Sequence, residues 1–285
     1  MILNLHLPPA NLNDCYVDRK LNYLFSFFGV GLFIFEASTQ QQWNIFLGLI
    51  LALIFSFLAF LFRRLTLDGM FAAVVVGTFI FGLGGWETVS VVLVFFITGS
   101  AISGQWQMRA PDIPNEARRN GLQVWANGFW LITGLILALI FDANVFLIGA
   151  LASIATATAD TWATELGSNK PSGTYLITNF DNVSPGTDGG ISFQGTVAAF
   201  IGSLTIGVIS VYVFSLQFYF FLCIFIAGFL GSIADSYFGA FFQRNNSTVT
   251  VPFAKSKIRI DNNLVNGMAT GMGGLLAIIL KLLFL

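Results

Sequence analysis

Apolar residues in this chain run in blocks of about 20, separated by short polar clusters. The blocks are continuous and lack the alternation of a half-buried strand, so they read as helices. Their length matches a hydrocarbon layer of roughly 30 Å, in which backbone groups find no water and must pair inside a helix or a closed barrel. The pattern predicts nine spans, at about 22–38, 43–62, 69–85, 87–104, 122–141, 145–164, 193–214, 217–242 and 264–284. The first has the shortest apolar core, Leu24 to Phe35, and only Gly84, Gly85 and Trp86 separate the third from the fourth. The predicted fold class is all-α: a polytopic integral membrane bundle. A tail, 1–21, precedes a single transmembrane domain, 22–285, with loops at 105–121, 165–192 and 243–263.

Composition removes the soluble alternative. The 285 residues are 56% hydrophobic and 9% charged, and the mean hydropathy is +0.80. Soluble domains carry about a quarter charged residues. Nine spans send alternate loops to opposite sides, and of the 13 lysines and arginines all but Lys281 then fall on one side. That asymmetry marks the basic side as cytoplasmic, with the N-terminus inside and the C-terminus outside. A net charge of −1 without a basic tract argues against nucleic acid as a partner. Cys15 and Cys223 are too far apart in sequence to suggest a disulfide framework or a CxxC metal site. His6 stands alone in the tail, and the first twenty residues lack the basic region and apolar stretch of a signal peptide.

Membrane insertion does not explain every polar residue. A charge at a helix centre costs about 2.5–3.5 kcal/mol on insertion scales. Glu36, Glu87 and Asp142 avoid this cost at predicted turns, but three segments do not. In Ala155 to Gly167, the residues Thr156, Asp160 and Thr164 recur every four positions and share a helix face. Glu165 lies about 140° away and joins them only if the helix ends or loosens near Gly167. Two carboxylates near the membrane surface suit Mg²⁺, which prefers oxygen ligands and phosphate. In Gly228 to Gln243, the residues Gly228, Ser232, Asp235 and Gly239 form a small-residue stripe that turns Asp235 toward protein. In Asp261 to Gly267 and beyond, Asn263, Asn266, Thr270 and Gly274 share a face. Gln123 and Asn127 form a smaller pair at i, i+4. For Gln123, Asn127, Ser232 and Thr270, interhelical hydrogen bonding is an equal alternative to function. Bare carboxylates such as Asp160 and Asp235 are costly glue.

One loop has the composition of an anion cradle. Ser184-Pro185-Gly186-Thr187-Asp188-Gly189-Gly190-Ile191-Ser192 precedes a span, where glycine turns and a helix N-terminus can direct N–H groups at phosphate. No Gly-Lys-Ser/Thr follows, so it is not a Walker loop. Arg118, Arg119, Lys170, Lys255, Lys257 and Arg259 share its side, a placement that positive-inside bias alone also explains.

These residues carry a resemblance. Ala159-Asp160-Thr161 with Glu165 and Gly167, Pro185-Gly186-Thr187-Asp188-Gly189-Gly190, Gln123-Val124-Trp125-Ala126-Asn127-Gly128, and Gly231-Ser232 with Asp235-Ser236 resemble the transmembrane protein 19 family, formerly a domain of unknown function, over about residues 45–284. The family includes the phytyl-phosphate kinases of tocopherol and phylloquinone synthesis. The resemblance implies transfer of the γ-phosphoryl group of a nucleoside triphosphate, CTP foremost, to phytyl monophosphate. Under it, Asp160, Glu165 and Asp235 hold Mg²⁺, Asp188 lies near the metal, and Gly186 to Gly190 cradle a phosphate. Arg118, Arg119 and Lys170 screen anion repulsion. Gln123, Asn127, Thr187, Ser232, Ser236, Asn263 and Asn266 contact substrate or nucleotide, and the isoprenoid tail lies between helices open to lipid. A homodimer is compatible with this reading. The rival readings are a cation-coupled transporter, a cytidylyltransferase that makes a CDP-lipid, and an assembly scaffold.

Overall fold

Helix α5 (Asn144–Gly167) forms the centre of the molecule, and its sequence explains why. Twelve consecutive residues, Ile148 to Ala159, are buried, so every face of this stretch meets protein. Such a helix needs no apolar stripe, and alanines and threonines alternate freely along it. Their small side chains admit close neighbours. Gly202 of α6 (Phe193–Val213) abuts the Ala159 backbone. Gly228 and Gly231 of α7 (Phe218–Phe238) abut Ala155 and Thr156. Gly273 and Gly274 of α8 (Asn262–Leu283) abut Thr156 and Gly149. A Cβ added at Gly228 would stand 2.6 Å from that of Ala155. The computed structural model describes residues 14–35, 38–109, 118–167, 173–250 and 257–283.

The other half contains α1 (Asp14–Phe35), α2 (Thr39–Leu61), α3 (Leu67–Arg109) and α4 (Gly121–Phe141). Its core joins Phe25, Val76, Phe79, Trp125, Leu131 and Ile132. Helix α3 is interrupted at Gly85, whose φ of 62° and ψ of −163° are not helical. The chain doubles back there. The Arg119 backbone N–H donates to the Arg64 carbonyl at 3.0 Å, and its carbonyl accepts from Thr66 N–H at 3.1 Å. The Arg119 guanidinium meanwhile lies 4.6 Å from the Phe95 ring centroid. An unbroken helix would separate Thr66 from Phe95 by about 44 Å. The expected third and fourth spans are thus the two halves of α3, residues 67–84 and 86–109.

Seven helices among the described residues are long and apolar enough to cross a bilayer: α2 to α6, α7 with the turn that extends it, and α8. Helix α1 is not among them, and it begins at Asp14 rather than at residue 22. It is tied to α4 by Trp125 Nε1, which donates to Asn22 Oδ1 at 2.8 Å. The expected loops are also shorter than their boundaries, because α3 runs on to Arg109 and α5 to Gly167. Two small hairpins occupy the loops: β1 (Thr174–Leu176) pairs antiparallel with β2 (Gly190–Ser192), and β3 (Thr248–Thr250) with β4 (Lys257–Arg259). Strands of three residues are too short to show a period-two pattern.

The loop at 63–66, residues 118–120, the C-terminal end of α5, the β1–β2 hairpin and the first residues of α6 and α8 gather at one end of the bundle. Lys281 marks the other end, 5.7 Å from the Phe220 ring.

Candidate functional site

Asp160 stands at the first position on α5 beyond the fully buried stretch, and Asp235 stands on the last part of α7. Their carboxyl groups are hydrogen-bonded to each other. Asn266 of α8, with its amide oriented to satisfy both partners, donates to Asp235 Oδ1 and to the Asn262 carbonyl, each at 3.0 Å. Two bare carboxylates in contact repel, so such a pair holds a proton or a cation. No arginine or lysine among the described residues neutralises either one. Helix α8 therefore joins α5 and α7 at this point, and three of the four polar stripes seen in the sequence converge.

The pair opens into a cleft of about 210 Å³. Asp160, Ala163 and Thr164 form the α5 wall, and Ser232, Asp235 and Ser236 the α7 wall. The loop contributes Gly186, Thr187, Asp188, Gly189 and Gly190. Ser192 lines it too, and its hydroxyl caps α6 by accepting from Gly195 N–H at 3.1 Å. The chain after α7 widens into a π-helical turn, Gly239–Gln243, which brings Gly239 and Gln243 to the cleft. Such turns are frequent at functional sites.

Two glycines make the loop possible. Gly186 and Gly189 have φ of 82° and 76°, a conformation that side chains oppose. A Cβ at Gly189 would also lie 2.6 Å from the Ala240 backbone nitrogen, so loop and π-turn touch backbone to backbone. The Thr187 amide donates to the Ser184 carbonyl at 3.2 Å, its hydroxyl to the same oxygen at 2.7 Å, and the Gly190 amide to the Thr187 carbonyl at 2.8 Å. These two amides are spent inside the turn. Those of Gly186, Asp188 and Gly189 have no partner among the described residues. The cradle expected across Gly186 to Gly190 thus narrows to three donors.

Several expected residues lie elsewhere. Glu165 does not line the cleft. Helix α5 stays regular through Gly167, the offset of about 140° persists, and Ser103 Oγ donates to Glu165 Oε1 at 2.6 Å on the far side. The expected metal triad of Asp160, Glu165 and Asp235 is therefore a pair. No group of three or more histidines, cysteines or acids forms among the described residues. Arg119 faces Glu165 beneath the rings of Phe95 and Phe96. Burial there pulls its guanidinium down to about 10, against the opposing pull of Glu165. The Arg118 Nε is buried without a partner, away from the cleft.

Gln123 closes a capping box on α4, its Oε1 accepting from Asn120 N–H at 3.0 Å. Gln123 and Asn127 line a second cavity, not the cleft. Asn263 donates to Asp261 Oδ2 at 3.2 Å and stays in its own turn. Thr270 donates to the Ala126 carbonyl at 3.1 Å, which makes it helix-joining. Lys170 lies outside the described residues. Sequence reasoning missed Thr196, Gln243 and Asn262 as cleft residues. Only Asn262 carried a signal, as a polar residue opening a span.

The fold and cleft define a class: a multi-pass helical integral membrane protein with a carboxyl pair at one end of its bundle. The chain belongs to the integral membrane protein DUF92 family, whose model matches residues 50–274. It is 34% identical over 220 residues to an uncharacterized membrane protein of Methanocaldococcus jannaschii, covering 76% of this chain and 86% of the relative. An uncharacterized membrane protein of Synechocystis sp. is 31% identical over 225 residues, covering 76% and 82%. Protein PGR of Arabidopsis thaliana is 26% identical over 187 residues, covering 59% and 65%. No solved structure matches the chain.

Proposed function

We propose that this protein is a membrane-embedded phosphotransferase that converts an isoprenyl monophosphate, phytyl monophosphate foremost, to the diphosphate at the expense of a nucleoside triphosphate such as CTP. The observation that carries the reading is the Asp160–Asp235 pair opening into a cleft walled by the Gly186–Gly190 turn. We place this end on the cytoplasmic side, because lysines and arginines gather there.

Mg²⁺ typically takes one or two carboxylates and fills its remaining positions with water and substrate phosphates. Asp160 and Asp235 fit that donor set, and when bound the ion neutralises charge on the nucleotide phosphates. The Asp188 and Gly189 amides hold a phosphate oxygen. Asn266 fixes the Asp235 carboxylate, and Ser232 and Ser236 offer hydroxyls to the nucleotide. An oxygen of the acceptor phosphate forms the bond to the γ-phosphorus while the bond to the β-bridging oxygen breaks, and CDP leaves. The acceptor is already an anion, so positioning and charge neutralisation suffice and no strong base is needed.

The test is incubation of the purified protein with labelled CTP, Mg²⁺ and a panel of isoprenyl monophosphates. Isoprenyl diphosphate and CDP are the expected products. Release of diphosphate with a CDP-lipid would identify a cytidylyltransferase instead. Absence of nucleotide turnover, with cation-driven flux in liposomes, would identify a transporter.

A further inference from the structure

The backbone bridge between Leu65 and Arg119 is parallel, and it sorts side chains by face. Partners across such a bridge project to the same side, and their chain neighbours to the opposite one. Leu65 and Arg119 turn inward, since both line the apolar cavity. Arg64 and Arg118 therefore project together from the outer face. Two cations set opposite each other repel. Neither has an ion pair or a side-chain hydrogen bond among the described residues, and the Arg118 Nε is buried without an acceptor. Positive-inside bias decides on which side of the membrane a cation stands, but it does not seat two of them in register.

The acids near this bridge are engaged elsewhere. Asp68 accepts from the Gly121 amide at 2.7 Å and faces Asp18. Glu165 faces Arg119 on the inner side. Arg63, exposed and with φ of 57°, adds a third cation next to Arg64. Leu61 and Phe62 at the end of α2, and Leu67 and Phe71 at the start of α3, are all exposed, Phe62 to 74%. The arginines thus stand at the rim of an apolar surface, where two spans leave the hydrocarbon layer and meet the lipid phosphates.

We propose that Arg64 and Arg118 form a headgroup site for an anionic phospholipid of this leaflet, whose acyl chains lie along Phe62, Leu67 and Phe71. The phosphate diester supplies the acceptors that the paired guanidinium groups lack. This lipid is a partner and not a substrate. It clamps the 63–66 loop to the start of α4 from outside the bundle, and the site is independent of the phosphotransferase reading.

The experiment is native mass spectrometry of the full chain released from nanodiscs that hold equal amounts of phosphatidylglycerol and phosphatidylcholine. The wild-type protein should retain phosphatidylglycerol about tenfold or more over phosphatidylcholine. Arg64→Gln and Arg118→Gln should each lower that preference about fivefold, the share of one cation at an anionic surface. Lys281→Gln, at the other end of the bundle, should leave it unchanged. The 64–66 loop is bonded to Arg119 through backbone groups, so the arginine variants keep that contact. Phosphatidylglycerol should also raise the melting temperature of the wild type more than that of either arginine variant. Equal retention of the two lipids by the wild type, or an equal loss of preference in Lys281→Gln, would overturn the proposal. Full preference in monodisperse Arg64→Gln and Arg118→Gln would do the same. Displacement of phosphatidylglycerol by inorganic phosphate would also overturn it, by making the arginine pair a site for free anions.

Discussion

The two cavities have nearly equal volumes, about 210 and 190 Å³, and flank one helix, yet their chemistry is opposite. The difference lies in which side chains reach the space. Around the cleft, glycines of α6, α7 and α8 bring backbone against α5, and polar side chains at the ends of these helices come together. Around the other cavity the helices also approach through small residues, with a Cβ added at Gly77 standing 2.9 Å from that of Ala52, but the larger side chains that line it, Phe55, Phe81, Trp86 and Phe96 among them, are aromatic. Close approach is therefore common to both sites, and the polar residues carried at the helix ends set the cleft apart.

The strongest way to break this comparison is to neutralise the carboxyl pair. Asp160→Asn or Asp235→Asn should lower phosphoryl transfer by about 100-fold or more at saturating Mg²⁺. Glu165→Gln should leave most of the activity, because Glu165 faces Ser103 on the other side of α5. Equal losses in all three variants would mean that the two faces of α5 act as one site.

A second pair of variants tests close approach. Gly231→Val would drive its side chain into Thr156 and should destabilise the protein by about 1–3 kcal/mol. Gly267→Ala, on the same side of the molecule but with open space around it, should be neutral or stabilising by up to about 1 kcal/mol. Thermal unfolding in detergent would rank them. Ser103→Ala should cost about 1 kcal/mol by removing the bond to Glu165, with little effect on turnover.

The smallest effect concerns Asp18, which is buried near Gly121 with Oδ2 unpartnered. Burial raises its pKa above the ordinary 3.8, with Asp68 adding to the rise and the Arg19 amide opposing it. The folded state therefore binds the proton more tightly than the unfolded one. The cost of the ionised group is present above the raised pKa and disappears as pH falls toward 3.8. Asp18→Asn should raise the melting temperature slightly at neutral pH, and the gain should vanish on acidification. A gain independent of pH would show that charge is not its cause.

Much of the bundle was legible because span length and charge placement are set by the bilayer itself. Asp160 and Asp235 stood out for the same reason, since a carboxyl group in an apolar helix needs a partner. Asn266 followed from its stripe. Glu165 was misplaced because loosening at Gly167 was a local possibility that the packing of α5 against Gly195 removes. Asn127 and Gln123 had a visible pattern but no visible destination, because i, i+4 spacing fixes a face and not the cavity it meets. The π-turn that delivers Gln243 left no trace in hydropathy, for it alters hydrogen bonding without changing which residues are apolar.

The hairpin of α3 is closed at one tip by Gly85 and laced at the other by Arg119, whose backbone joins Arg64 and Thr66 to the start of α4. A pair of rods fastened at both tips cannot spread like tongs. Helix α2, by contrast, buries only Gly48, Ala52 and Ser56. The apolar chamber is therefore walled on that side by the candidate span with the smallest buried share, so its outer face is the thinnest part of the bundle.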